Sequence, residues 1–251
     1  ISGPQDLTLS DAANDGARGI WSSVGGRTSI AYSLSWTCPL RPLRFATMRA
    51  AQGSLARRGI AFGARPLVTI ADAALAESAR SLAARLQGSE AEPLDVQVHL
   101  PELSGAMERW ALRPRYMNES LQWVLGHVAT KQRYGPLQQV VVRDKSHRLI
   151  GWFLYCLNRG GVSTVVQLGS VKGATDIVLA RMMQHARERK SVALTGRFEP
   201  SAAQALSDAG ATFKREGPWL LYHSRHPGIE CAIEGGDAFI SRLDGEWWMG
   251  F

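Results

Sequence analysis

Cysteine is scarce in this chain of 251 residues. Cys38, Cys156 and Cys231 are odd in number and widely scattered, with no CxxC pair, so neither a disulfide framework nor a zinc knuckle is expected. Such usage suits a reducing compartment, and the cytoplasm is the expected location. Long apolar runs are also missing: none approaches the ~20 residues that span a bilayer, and no membrane partner is expected. Ile1-Ser2-Gly3-Pro4 does not resemble a signal peptide, and without an initiating Met it is expected to be a truncated or processed start. The six His show no metal-ligand spacing apart from His223 and His226, and no metal is expected. Acidic residues are outnumbered, 22 against 29 Lys and Arg, for a net charge of +7. The basic residues are dispersed, and the densest group, Arg181 to Lys190, follows the apolar positions of one helix. Nucleic acid is therefore not the expected partner, while a modest basic surface suits any polyanion, nucleotide phosphates included.

What is present is enough apolar material, 45% of the chain, for a real core, together with a repeat. Asp6-Leu7-Thr8-Leu9 leads into Asn14 to Gly25 and then a strand-like run from Ser29 to Trp36. The order recurs with Val192 to Thr195, then Glu199 to Gly210, then Phe213 to Ser224. Each copy reads strand, short helix ended by glycine, strand, and only the second copy has a front half. The chain therefore reads as the end of one domain followed by a whole second one.

Between the copies, 47–58 and 70–86 carry Ala, Arg and Leu at helical spacing and predict two connecting helices. Gln87 to Pro93 reads as a loop. Leu94 to Leu100 alternates with period two and predicts a strand. Glu102 to Trp110 and Asn118 to Gln132 read as helices, the second with Asn118 as N-cap and Leu121, Val124, Leu125 and Val128 on one face. Gln138 to Arg143 and Leu149 to Leu157 form a hairpin across the polar turn Asp144 to Arg148. A third strand, Ser163 to Leu168, and a glycine-containing loop, Gly169 to Ala174, lead to a long helix, Thr175 to Arg189.

The resulting order from Leu94, β-α-α-β-β-β-α-β-α-β-β, resembles the GNAT acyltransferase superfamily over roughly 94–224, with the tail of a first such domain before it. The expected fold class is α+β: a GNAT-like mixed, mostly antiparallel sheet flanked by helices, preceded by the C-terminal part of a second such domain. The expected units are 1–45, the end of the first domain; 46–93, a helical connector; 94–226, the GNAT-like domain; and 227–251, an aromatic extension. In the family's cofactor loop an Arg or Gln is followed by Gly three residues on and Gly or Ala five on. A small residue lies thirteen after the first Gly. Gly173 and Ala186 fit that register, whereas Ser170 and Thr175 depart from it. The family's next helix often reads Asn-x-x-Ala-x-x-Leu-Tyr-x-x-x-Gly-Phe. Asn14, Ala17, Ile20, Trp21, Gly25 and Gly26 match it in the first copy; Glu199, Ala202, Ala205, Leu206, Gly210 and Ala211 stand there in the second. Neither copy has the Tyr that serves as general acid in the family.

The resemblance implies acetyl-CoA or another acyl-CoA as co-substrate, its pyrophosphate held by main-chain N–H groups at the opening of a helix, where the dipole end is positive. The expected cofactor-binding residues are Gln167, Gly169, Ser170, Lys172, Gly173, Ala174 and Thr175. Glu199 is the candidate base and Tyr222 the alternative acid, while an N-terminal helix carboxylate and a packed hairpin aromatic are the plain structural alternatives. The implied activity is acyl transfer to an amine or hydroxyl of a small-molecule acceptor, with a second domain that is active or degenerate. A non-catalytic scaffold and an aminoacyl-tRNA-dependent transferase are the competing readings. Trp247, Trp248, Met249 and Phe251 are expected to dock, since a fully buried large apolar side chain contributes about 1.5–3 kcal/mol. The docking partner is expected to be the missing first domain, a sheet edge or a second copy of the chain.

Overall fold

A computed structural model describes residues 5–51, 86 and 88–249. The expected helix over 70–86 lies outside the described residues, apart from Leu86, as does most of 47–58, of which the end of α2 (Pro42–Ala51) is described. The first copy runs β1 (Leu7–Ala13), α1 (Asp15–Ser23), β2 (Arg27–Ser29), a 3₁₀ turn, then β3 (Ser35–Pro39). Asn14 caps α1, its side chain accepting from the Ala17 N–H. After α2 come β4 (Ser89–Pro93), α3 (Val96–Met107) and α4 (Asn118–Ala129). These lead into β5 (Leu137–Asp144), β6 (Leu149–Cys156) and β7 (Val162–Ser170). The chain continues through α5 (Thr175–Glu188), β8 (Ala193–Arg197), a 3₁₀ turn, α6 (Ala203–Asp208), β9 (Thr212–Lys214), β10 (Trp219–Ser224) and α7 (Pro227–Glu234).

The expected hairpin forms as β5 and β6, antiparallel from Leu137/Cys156 to Arg143/Leu149. Its turn is set by Asp144, whose side chain accepts from the Ser146 and Arg148 N–H groups. The expected strand over Leu94 to Leu100 is instead the start of α3. Asp95 accepts from the Gln97 N–H, and Val96, His99, Leu100, Leu103 and Met107 are buried at helical spacing while Val98 points to solvent. The strand lies just before it, at β4, inside the segment read as a loop. Asn118 is the first helical residue of α4 rather than its cap.

The main sheet has the order β4-β5-β6-β7-β8-β3-β9 and is antiparallel except between β7 and β8. It is a mixed, mostly antiparallel sheet flanked by helices. Alternate residues of β6 serve its two faces: Phe153 and Tyr155 pack with Val178, Leu179, Met182 and Leu206 of α5 and α6. Leu154 and Cys156 pack on the other face with Leu100 of α3 and Leu121, Leu125 and Val128 of α4.

β9 and β10, the two strands that end the expected order, do not pair with each other and lie in different sheets. β3 lies between β8 and β9, antiparallel to both, and β10 lies between β1 and β2, antiparallel to both. Each of the two β-α-β-β segments, β1 to β3 and β8 to β10, thus places its last strand in the gap between the two preceding strands of the other. The run expected as one strand from Ser29 to Trp36 is broken by the 3₁₀ turn for this reason: it leaves the three-stranded sheet at Ser29 and enters the seven-stranded one at Ser35.

Candidate active site

The parallel pairing of β7 with β8 stops at Thr164/Thr195, although β7 continues to Ser170 and β8 to Arg197. Beyond that point the two strands diverge. β7 also carries an extra residue: Tyr155 pairs with Val165 and Leu154 with Gln167, so Val166 has no counterpart on β6. Its carbonyl is left for another partner.

A small cavity opens at this divergence, lined by Trp36, Val165, Val166, Leu168, Arg197, Glu199 and Ala202. Glu199 is 8% exposed, and its carboxylate makes no hydrogen bond or ion pair with other described residues. Burial, reinforced by Asp244, pushes the carboxyl well above the usual carboxylate range, against the opposing pull of Arg197 and Arg109. Arg197 is itself held: its guanidinium donates to Asp11 at 2.6 Å, with the two side chains 8% and 0% exposed. Asp11 belongs to β1 and Arg197 to β8, so this pair ties the three-stranded and seven-stranded sheets together beside the cavity.

The N-terminus of α5 stands at the end of β7. Gly173 adopts φ of +82°, a conformation that L side chains rarely take, and a Cβ there would meet nothing within 4 Å. The N–H groups of Lys172, Gly173, Thr175, Asp176 and Ile177 have no acceptor among the described residues. They form a set of donors suited to a phosphate, opposed in part by the Asp176 carboxylate in the first turn. Ser170, where the family pattern has Arg or Gln, bonds the Thr175 hydroxyl at 2.8 Å. Ala174 is the N-cap and is buried, and Lys172 is exposed.

Two of the expected cofactor residues are engaged elsewhere. Gln167 accepts from Trp152 Nε1 at 2.8 Å and donates to the Tyr116 hydroxyl and to Ser241 Oγ. Gly169 lies under the Trp152 ring, where a Cβ would come within 2.1–2.4 Å of ring atoms.

Solved structures with a similar arrangement include acetyltransferase folds. One is a conserved protein of unknown function from Enterococcus faecalis V583, described as a probable N-acyltransferase, at 9% identity and TM-score 0.49; 87% of this chain and 45% of that one are covered. Another is the GCN5-related glucosamine N-acetyltransferase region of a fungal multi-domain β-N-acetylglucosaminidase, at 10% identity and TM-score 0.47, covering 89% and 25%. A third is a GCN5-related N-acetyltransferase from Anabaena variabilis ATCC 29413, at 9% identity and TM-score 0.46, covering 86% and 45%. The chain thus spans less than half the length of these three. No family model and no curated protein matches it.

Tyr222 is placed apart from this site. It sits on β10 in the three-stranded sheet, packs with Tyr32, Leu220 and Ile233, and donates its hydroxyl to Glu234. Burial and Glu234 push its phenol up to about 12. A different phenol is near Glu199: Tyr116 bonds Asp244 and Gln167, and burial followed by Asp244 holds its proton firmly. Tyr116, Asp11 and Asp244 went unnoticed in the sequence. Each is a single polar residue in a segment without a motif, and only the tertiary fold brings them together.

The extension beyond α7 docks in part as expected: Trp247 and Trp248 are half-buried, Met249 is 51% exposed, and Phe251 lies outside the described residues. Phe239 and Ile240 are 2% and 4% exposed, and Leu243 joins the cluster of Leu154, Cys156 and Val166. Trp247 packs on Tyr134 with the rings tilted by 45° and their centres 5.0 Å apart, and Trp248 meets Trp123 edge-on at 5.2 Å. Its docking surface is the face formed by α4 and the splayed strands. The Arg242 N–H donates to the free Val166 carbonyl at 3.1 Å, while Arg197 reaches the Ser241 carbonyl from the β8 side at 3.4 Å. Ser241 to Leu243 therefore lies between the diverging strand ends.

Proposed function

We propose that the protein is an acyltransferase that moves an acyl group from a coenzyme A thioester to an amine or hydroxyl, and that it consists of two GNAT-like repeats of which the first is represented by its end. The observation that carries this reading is the coincidence of the strand divergence with the buried, unpartnered Glu199 carboxyl. Lys172, Gly173 and Thr175 to Ile177 would hold the pyrophosphate through their N–H groups, and the thioester arm would enter along β7. A carboxylate whose affinity for protons is raised by burial is suited to take one from an attacking amine. The nitrogen bonds to the acyl carbon, the carbon–sulfur bond breaks, and the proton taken by Glu199 passes to the departing sulfur. That route needs no separate acid, which agrees with Leu206 standing where the family has Tyr.

A second reading, a non-catalytic scaffold, is favoured by one observation: the free volume at the divergence is about 10 Å³, close to that of one water, while Ser241 to Leu243 of the chain's own extension packs against the neighbouring stretch of β7. Calorimetric titration with acetyl-CoA separates the two. Binding by the natural protein that Gly173→Glu abolishes supports the transferase, and release of free thiol in the presence of a panel of amines, lost in Glu199→Gln, completes the test. Absence of binding at millimolar ligand, in the natural protein and in a variant whose extension has been loosened, leaves the scaffold.

A further inference from the structure

We infer that Ser241 to Trp248 is an internal competitor for the thioester arm, a strap that occupies the divergence of β7 and β8 and must lift for a donor to enter. The inference rests on the transferase reading above and adds the regulation of that site.

The strap is seated by the groups that an extended, amide-bearing ligand would use. Arg242 N–H takes the Val166 carbonyl, Ser241 Oγ takes Gln167, and the Leu243 side chain fills the apolar floor beside Leu154 and Cys156. The adjoining cavity, walled by the strands, Glu199 and Ala202 rather than by the strap, has room for about one water. The strap and an extended ligand therefore exclude each other.

Its attachment is graded along its length. The root, Phe239 and Ile240, is buried among Trp110, Trp152 and Leu220 and is built to stay. Beyond Ile240, Leu243 is the one apolar side chain fully buried among the described residues; Trp247 and Trp248 are half-buried against Tyr134 and Trp123, and polar contacts carry the rest. Asp244 accepts from the Ser241 N–H at 2.8 Å and from Ser241 Oγ at 2.6 Å, and it bonds Tyr116. The far end is latched to the first repeat: the Glu246 N–H donates to Asp11 at 2.6 Å, and Ser10 Oγ donates to the Glu246 carboxylate at 2.7 Å. Hydrogen bonds of this kind can be exchanged for water at little net loss, whereas a buried apolar root cannot. The strap is thus hinged at Ile240 and latched at Glu246.

Gly245 shows how tightly the latch closes. A Cβ there would fall 2.2–2.4 Å from the Asp11 carboxyl atoms, and Asp11 cannot turn aside because Arg197 holds it. Gly245→Ala therefore loosens the latch; it contacts neither Glu199 nor the α5 loop, and it reaches the cavity wall only through the Asp11–Arg197 pair.

The test uses the full chain, with acetyl-CoA as the probe. Amide hydrogen exchange of 241–248 and calorimetric affinity are measured for the natural protein, Gly245→Ala and Ser10→Ala. A closed strap lowers apparent affinity by the fraction of time the cleft is open, so loosening it should tighten binding roughly tenfold in Gly245→Ala, and less in Ser10→Ala. In parallel, saturating acetyl-CoA should deprotect the Arg242 amide in the natural protein. If Gly245→Ala exchanges faster yet binds acetyl-CoA no more tightly, or if Arg242 stays protected with the donor bound, the strap is not a competitor and the transferase reading stands alone. If no variant binds at millimolar acetyl-CoA even where exchange proves the strap loosened, the donor site fails and the strap proposal fails with it.

Discussion

Asp11→Ala tests the seam between the repeats. Asp11 and Arg197 come from strands of different repeats, pair at 2.6 Å, and are almost entirely withdrawn from water. Asp11 also accepts from the Glu246 N–H. Removing the carboxylate leaves the Arg197 guanidinium buried beside Arg242, whose own acidity is already raised, to a pKa of about 10, by burial and by Arg197. Breaking one side of a buried pair costs about 3–5 kcal/mol, because the surviving charge has no compensation. Arg197 keeps long contacts to the Ser241 and Asp11 carbonyls, both at 3.4 Å, and the nearby Glu199 carboxyl, which offset only part of that loss. For a chain of this size the change corresponds to a fall in Tm of roughly 6–20 °C. Replacing both partners together, as Asp11→Leu with Arg197→Met, removes the desolvated charges as a pair and should recover most of the loss. Urea denaturation followed by circular dichroism gives the free energies, and the double-mutant cycle gives the coupling. A loss below about 1 kcal/mol for Asp11→Ala, or a double variant as unstable as the sum of the singles, would refute a buried ionic seam.

Two further outcomes follow from the same region. Glu199 has a folded-state proton affinity above its unfolded one, so the folded state binds the extra proton and stability falls as pH rises from the ordinary carboxylate range through the folded pKa. Glu199→Gln removes that dependence: it should stabilise the protein at pH 8 and gain little at pH 4, as read from Tm across pH, and an equal gain at both would remove the argument for a desolvated carboxyl. Gly169→Ala forces a methyl group into the Trp152 ring, which the bond to Gln167 keeps from moving, and should cost about 1–3 kcal/mol by denaturant titration; a neutral result would mean that the ring has room to shift.

The hairpin and the α5 helix were legible in the sequence because each is specified locally. Asp144 supplies its own turn, and Val178, Met182 and Ala186 fall on one helical face whatever they pack against. The segment at Leu94 misled because Leu94, Val96, Val98 and Leu100 alternate as a strand would, yet Asp95 caps a helix at their start. The helical positions Val96, Leu100, Leu103 and Met107 extend the pattern further than the period-two reading does. Length decided between the two periods. At the candidate site Glu199 was found because a family pattern pointed at its position. Asp11, Tyr116 and Asp244 were not, since a buried polar network leaves no periodic trace in the chain.

The strand exchange lies beyond any local pattern for a specific reason. A strand's sequence records which faces are buried, and it does not record which chain segment lies beside it. β3 buries Trp36 and Cys38 on one face, and it would do so whether it closed its own repeat or the other. What fixes the choice is cooperative: once Trp36 Nε1 bonds the Arg197 carbonyl and Thr195 Oγ1 bonds the Trp36 carbonyl, β3 is committed to the second repeat, and the vacancy between β1 and β2 is filled by β10. Neither repeat is then complete alone, and each side of the Asp11–Arg197 seam requires the other. The site inherits that dependence. Glu199 follows the strand that β3 braces, and the latch over it hangs from Asp11 of the first repeat, so any change in how the repeats sit together is felt at the carboxyl and at the strap above it.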